Sequence, residues 1–333
     1  MKMFEKLFNK KINKILIIRL GAIGDVVHTS NVYRSIKAKY PDVEIHYLTS
    51  PIIKPIIEFS SDLDKVITIN PKELKLFSKS FVDMARTLKK ENYDLIINLQ
   101  PSFKTMLLCR LASFCKVLVY KKSFKLHAVT NFWMTAKKHL KDIPEFFDLK
   151  LVLNPELIGR VEKKVLDYKR PFIVLNAGGI FSKRQGRTYP IEKWVELGNE
   201  LQKKYNGTVF ITGVREDAHM LEKLEVINNS VSFVDKLTLE ENTALISISD
   251  LMISGDSGPL HIASALGVKS VGLYGSMPVK RTGVYGSEHV SIASNMPCVP
   301  CNRRKCKYLK KNKGLYAPCM SAITVKEIVE NLD

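Results

Sequence analysis

Short apolar runs recur along the chain, most closed by glycine and followed by a stretch with helical spacing. Lys14–Leu20 (KILIIRL) reads as a buried strand bounded by Gly21 and Gly24, and Asp25–Tyr40 as a helix ended by Pro41. Strands follow at Val43–Leu48, Lys65–Ile69, Tyr93–Leu99 and Lys116–Tyr120, with helices at Pro71–Lys90 and Thr105–Ser113. The pattern restarts with a strand at Phe172–Asn176 and glycines Gly178 and Gly179. A helix at Ile191–Tyr205, a strand at Thr208–Thr212 and helices at Glu216–Ile227 and Leu239–Ser247 come next. The most informative stretch is Ile253–Gly275. There a strand at Asp250–Ser254 runs into Gly255-Asp256-Ser257-Gly258, a helix opens with Pro259 at a position that tolerates proline, Gly267 stops it, and a strand at Ser270–Tyr274 follows. Strands alternating with helices predict an α/β fold with parallel sheets.

Length divides this pattern in two. The 333 residues, 45% apolar, favour two Rossmann-like domains, 1–160 and 161–333, with a hinge in the polar helix Asn154–Lys169. Two such domains face to face would form a cleft at the carboxyl ends of their strands. No run of about 18 apolar residues is present, and MKMFEKLFNKKINK has no apolar core of a signal peptide, so a cytoplasmic protein is expected.

Charge changes the picture further. Lys and Arg number 52 against 33 Asp and Glu, a net +19. From Leu95 to Lys141 there is no acidic residue. Lys104, Arg110, Lys116, Lys121, Lys122, Lys125, Lys137, Lys138 and Lys141 alternate there with Phe103, Phe114, Tyr120, Phe124, Phe132 and Trp133. Such a surface suits an anionic partner: nucleic acid, acidic phospholipid or an anionic glycolipid. A set of merely solvated faces is the plain alternative.

Two glycine-bearing loops carry candidate chemistry. Asp256 sits where a helix begins, a place with free N–H groups that suits phosphate or sugar hydroxyls. Asp25, in Gly21-Ala-Ile-Gly24-Asp25, is either a helix cap or a carboxylate positioned as a general base. GxxGD is not the GxGxxG of dinucleotide enzymes, so a nicotinamide cofactor is not expected.

RLGAIGDVVHT near the N-terminus and GDSGPLHIASALG followed by GLYGSMPVKRTGVYG together resemble the bacterial heptosyltransferases of glycosyltransferase family 9, the heptosyltransferase II-like members in particular. The resemblance implies a GT-B fold and an inverting, metal-independent transfer from ADP-heptose to the inner core of lipopolysaccharide. No cofactor and no metal at the transfer site would be required. It makes Asp25 the catalytic base, with Gly21, Gly24, His28 and Thr29 in the surrounding acceptor loop. It puts Asp256, Ser257, Gly258 and His261 around the donor sugar, Lys236-Leu237-Thr238 against the adenine and Glu216 on the ribose. Arg187 stands where family members often carry Lys, two residues before an aromatic–proline pair, here Tyr189-Pro190; Lys183 or Arg184 could supply the diphosphate charge instead.

The implied partners are a nucleotide sugar, an anionic lipopolysaccharide precursor and the cytoplasmic face of the inner membrane as a peripheral surface, with no nucleic acid. A transferase of another nucleotide sugar onto a surface glycan is the alternative within the enzyme class. A non-catalytic protein binding nucleic acid or an anionic surface is the alternative outside it, but the glycine–carboxylate loops would then go unexplained. Six cysteines complete the inventory. Cys109 and Cys115 lie in an apolar stretch, whereas Cys298-x2-Cys301-x4-Cys306-x12-Cys319 lies in a basic loop. Reduced packed thiols, a structural zinc site and disulfides all remain open for that cluster.

Overall fold

The structure is a computed structural model that describes residues 12–178, 187–303, 305–312 and 316–332. The chain forms two compact units, one running up to Ser123 and including Val129–Phe146, the other comprising Phe124–Ala128 and Phe147–Asp333.

The first unit is built on five parallel strands: β1 (Lys14–Ile18), β2 (Glu44–Thr49), β3 (Lys65–Thr68), β4 (Leu95–Asn98) and β5 (Lys116–Val119), in the order β3-β2-β1-β4-β5. β1 is the central strand. Ile17 pairs with Tyr47 on one side and Ile97 on the other. Ile15 to Ile18 are fully buried, as the unbroken apolar run KILII requires of a strand covered on both faces.

The second unit has six parallel strands: β6 (Phe172–Asn176), β7 (Thr208–Thr212), β8 (Ser230–Ser232), β9 (Leu251–Gly255), β10 (Lys269–Tyr274) and β11 (Val290–Ala293), in the order β11-β10-β9-β6-β7-β8. Its core gathers Trp194, Leu197 and Leu201 from helix Ile191–Tyr205 with Met320, Ile323 and Ile328 near the C-terminus. Lys193 joins these elements by donating from Nζ to the carbonyls of Ser321 (2.5 Å) and Ile323 (2.6 Å). Helix Pro155–Lys164 lies in this unit, started by the Asn154 side chain, which accepts from the Glu156 N–H.

Three expected helices differ. Asp25–Tyr40 is two helices, Ile23–His28 and Ser30–Lys39, because Thr29 turns the chain tightly: its N–H donates to Val26 O and its own carbonyl accepts from Val32 N. The helix expected from Pro71 begins only at Lys79. Residues before it fold into turns on the Asn70 carbonyl, and Ser78 provides the first cap, accepting from Phe81 N. Glu216–Ile227 breaks into a 3-10 turn (Arg215–Asp217), one α turn (Ala218–Leu221) and a second 3-10 turn (Glu222–Val226). Strands β8 and β11 and helix Ala128–Lys137 have no counterpart in the sequence reading. The interleaved aromatics also divide: Tyr120, Phe132 and Trp133 are core, while Phe103, Phe114 and Phe124 are exposed.

Candidate functional site

In an open parallel sheet, ligands settle where successive crossovers leave in opposite directions, because the loops there part and open a crevice. The first sheet has this point between β1 and β4, the second between β6 and β9. Both glycine–carboxylate loops leave from those strands.

After β1 the chain runs through Arg19, Leu20 and Gly21, whose φ of +154° is one that a side chain rarely permits. Leu20 N–H donates to Gln100 Oε1 at 2.8 Å and Arg19 Nη1 to Leu99 O at 2.6 Å, so the loops after β1 and β4 are tied together. Arg19 Nη2 lies 2.5 Å from Asp25 Oδ2, and the guanidinium carbon is 5.3 Å from the Phe132 ring centroid. The cap reading of Asp25 is therefore excluded: Ala22 occupies the N-cap position without a side-chain cap, and the carboxylate turns to Arg19. About a third of that side chain remains open to solvent (32%). Gly24 and His28 are buried, and Thr29 is enclosed with its hydroxyl 2.6 Å from both Val26 O and Tyr47 Oη. Thr29 therefore braces the loop rather than facing a ligand.

The second site is knitted by a serine–asparagine cluster. Asn176, the last residue of β6, faces Ser254 of β9 in register. Its Nδ2 donates to Ser254 Oγ (3.0 Å) and Ser257 Oγ (3.3 Å), and those two hydroxyls are 2.8 Å apart. Ser257 also accepts weakly from Leu260 N, capping helix Gly258–Ala265. Asp256 is thereby held at the helix start with only 5% of its side chain exposed. Arg187 reaches it from the other side, Nη2 3.0 Å from Oδ2 and Nη1 donating to the Asp256 carbonyl at 3.2 Å. His261 Nε2 stands 3.5 Å from Oδ1. The Arg187 contact is not aligned as a hydrogen bond, so among the described residues Oδ2 is a buried acceptor with a lone pair unused. A buried carboxylate with such capacity, neutralised by a guanidinium, suits a ligand hydroxyl.

The structure gathers Arg187, Asp256, Ser257, Gly258 and His261 in one place and leaves others apart. Thr238 caps helix Leu239–Ser247, its hydroxyl accepting from Glu241 N while Glu241 Oε2 accepts from Thr238 N. Glu216 is exposed on the turn after β7. Its neighbour Asp217 is buried, with Oδ2 3.3 Å from the point where a Cβ on Gly178 would sit. Lys183 and Arg184 lie outside the described residues.

Arg19 and His127 carry no signal in the sequence that marks them for a role. Arg19 stood inside the quoted motif, but only the tie to Asp25 gives it a role. His127 belongs to the segment Phe124–Ala128, which joins the second unit. Its ring lies 3.0 Å from Gly283 O through Nε2 and 4.8 Å from the Tyr285 ring. Burial, only partly offset by the hydrogen bond to Gly283, lowers its pKa to about 4, so it is neutral at pH 7 and donates to that carbonyl. One DxD spacing occurs, Asp62-Leu63-Asp64, of the kind that chelates a metal in some transferases. Asp64 is otherwise engaged, accepting from Ile45 N at 2.7 Å and pairing with Lys37 at 2.9 Å, below β2.

The family model of Glycosyltransferase family 9 (heptosyltransferase) matches residues 109–312. The lipopolysaccharide core heptosyltransferase OpsX of Haemophilus influenzae is 25% identical over 308 residues, covering 84% of each chain. Among solved structures, the family 9 glycosyl transferase of Veillonella parvula superposes with a TM-score of 0.81 at 18% identity, covering 96% of this chain and 97% of that one. The E. coli ADP-heptose lps heptosyltransferase II does so with a TM-score of 0.76 at 20% identity over the same shares.

Proposed function

The chain belongs to glycosyltransferase family 9, with a GT-B type fold of two parallel-sheet units, and on that footing we propose that it moves heptose from ADP-heptose to the inner core of a lipopolysaccharide precursor. The observation that carries the donor half is Asp256: a buried carboxylate at the second sheet's switch point, with Arg187 and His261 against it and an acceptor lone pair unused. The heptose hydroxyls take that lone pair. Arg187 shares its guanidinium with the diphosphate, and the N–H groups opening helix Gly258–Ala265 face the same negative charge. The relatives named for lipopolysaccharide and for ADP-heptose support this choice of substrates.

The acceptor half rests on Asp25. Inverting transfer breaks the bond between the anomeric carbon and the diphosphate while the acceptor oxygen bonds to that carbon from the opposite face. Asp25 takes the acceptor's proton, and the departing ADP keeps the electron pair. Arg19 fixes the carboxylate's direction, leaving its open edge for the acceptor hydroxyl. A placed base of this kind is worth roughly 10²–10⁴ in rate, or about 3–5 kcal/mol. Charge on the leaving group is met by Arg187 and helix N–H groups, which makes a metal ion unnecessary.

A thermal-shift screen of ADP-, UDP- and GDP-sugars, followed by a transfer assay on heptose-deficient core acceptor, tests this reading. Stabilisation by ADP-heptose alone and product formation in the presence of a chelator are expected. Stabilisation by a UDP- or GDP-sugar instead would move the enzyme to another surface glycan. Asp25→Asn should keep donor binding and lose turnover, and near-normal transfer by it would end the base assignment.

The acceptor's carboxylates and phosphates fit the acid-free stretch of the first unit. Arg110, Lys116, Lys121 and Lys122 are exposed there, and so are Leu111 and Phe114. Among the described residues no helix is long and apolar enough to cross a membrane. The contact we propose with the inner membrane is made by charge and by these apolar side chains.

A further inference from the structure

None of the six cysteines is disulfide-bonded, and four of them, Cys298, Cys301, Cys306 and Cys319, line a single cavity of about 280 Å³ in the second unit. They arrive there from three stretches of chain. Cys298 and Cys301 flank a loop that is pinned to the end of β10 by Asn302 N–H donating to Ser276 O at 2.7 Å. Cys306 packs against the core from the segment beyond Arg303, and Cys319 is buried at the beginning of helix Pro318–Ala322. Burial chiefly, and then the neighbouring Cys306, Cys298 and Cys301, raises the Cys319 thiol to about 11. The other three sulfurs are thus each within electrostatic reach of Cys319.

The pocket they line is open to solvent on one side. Two of its other walls are Arg303 and Lys307. Four thiolates around a divalent ion carry a net charge of −2, which needs cations close by, and these two side chains supply them. Among the described residues, the group of ligand-type side chains whose ligand atoms lie within 4.8 Å of one another is Glu44, His46 and Glu91. Its carboxylates are already neutralised, Lys14 contacting Glu44 at 3.0 Å and Glu91 at 3.1 Å, and Lys65 contacting Glu91 at 2.6 Å. Among the described residues no three of the thiols are drawn so tightly together. The ligand shell must therefore contract when an ion enters.

We propose that Cys298, Cys301, Cys306 and Cys319 bind one soft divalent cation, zinc or ferrous iron, as a closed four-thiolate site that fixes the loop from Cys298 to Cys319 onto the sheet end beyond β10. Four sulfurs at about 2.3 Å satisfy a tetrahedral ion and leave no open position, so the site is structural rather than catalytic. Each thiol releases its proton to solvent on ligation, and affinity therefore rises with pH. The assignment is independent of the donor and acceptor roles above.

The test uses the full chain, expressed with both metals present and purified anaerobically without chelators. About one equivalent of zinc or iron per chain is expected, and which of the two is found names the ion. Stripping by a strong chelator should lower the melting temperature and expose four further thiols to a thiol reagent. Refilling with Co²⁺ should give the thiolate charge-transfer and tetrahedral d–d bands of a four-sulfur site. Cys301→Ser should lose the metal or weaken these bands, while Cys109→Ser, which lies in the first unit, should change neither. Should Cys301→Ser fail to fold, the cobalt spectrum and thiol count of the unaltered chain still decide. Metal below about a tenth of an equivalent with no cobalt bands overturns the proposal. So does a mass lower by two or four hydrogens, the mark of disulfides.

Discussion

Arg19 grips Asp25 with one guanidinium nitrogen, 2.5 Å from Oδ2, while its other terminal nitrogen is anchored 2.6 Å from the Leu99 carbonyl. Two loops from opposite sides of the first sheet's switch point therefore set the direction of one carboxylate. Lysine has the same charge but no fork, and it cannot span both partners. Arg19→Lys should lower kcat by about tenfold with donor KM unchanged, the pattern of a group that positions a base instead of binding ground state. Steady-state kinetics with varied donor decide it: a raised donor KM at constant kcat would show that Arg19 serves the nucleotide sugar.

Gly255 lets the Arg187 backbone come close by having no side chain. A Cβ there would lie 2.5 Å from the Arg187 carbonyl oxygen, and backbone on that side must move to admit it. Arg187 carries the guanidinium that faces Asp256, so the displacement reaches the site directly. Gly255→Ala should cost about 1–3 kcal/mol of stability, as overpacking does, and weaken donor binding at the same time. Calorimetry of unfolding and of ADP binding measures both. Loss of stability with ADP affinity intact would separate Arg187 from the nucleotide.

The parallel sheets were legible because buried strands such as KILII and LMISG are mostly apolar runs that lead into a glycine-bearing loop. Helix limits were less so. Pro71 looked like a first helical residue, yet Asn70 closes only a turn, accepting from Lys72 N, and the helix waits for the cap at Ser78. Strands β8 and β11 escaped notice because edge strands three and four residues long, half-exposed, carry little period-two signal. Of the candidate site, Asp256 with its flanking serine and glycine could be read from the loop itself. The placement of Arg187 beside it depends on β6 and β9 being neighbours, a pairing between residues 78 apart that local pattern does not encode. Thr29 and Thr238 matched the motif yet fold inward or cap a helix, because a hydroxyl in sequence does not reveal whether backbone claims it first.

Glu91 predicts the acid behaviour of the first unit. Its hydrogen bond with Lys65, followed by that with Lys14, holds its pKa at about 2 against an ordinary 4.5. The folded value lies below the unfolded one, so the stabilisation is whole above the ordinary value and is lost as pH falls from there toward 2. Glu91→Gln should reduce stability at neutral pH by about 1 kcal/mol after screening by solvent, or roughly 2–4 °C in Tm. The gap should close as pH approaches 2. Urea titrations at several pH values measure it, and a constant gap across that range would make the effect one of packing rather than charge.

The proposed membrane contact makes a separate prediction, because its charge and its apolar part respond to different treatments. Helix Phe103–Ala112 ends with Arg110 and Leu111 exposed, Phe114 follows with its side chain wholly in solvent, and Lys116 begins β5. A fully exposed phenylalanine between two basic residues stabilises nothing within the unit, but it can enter the headgroup layer while the cations meet anionic lipid. Each such cation contributes about 1 kcal/mol near an acidic leaflet. Converting Arg110 and Lys116 to Gln should therefore weaken binding to vesicles rich in anionic lipid by about thirtyfold at low salt, and high salt should release the unaltered chain. Phe114→Ser removes the apolar part and should weaken binding at every salt concentration, leaving transfer to a detergent-dispersed acceptor unchanged. Vesicle co-sedimentation separates the two contributions. Binding that survives high salt and is indifferent to Phe114→Ser would move the contact to another face of the protein.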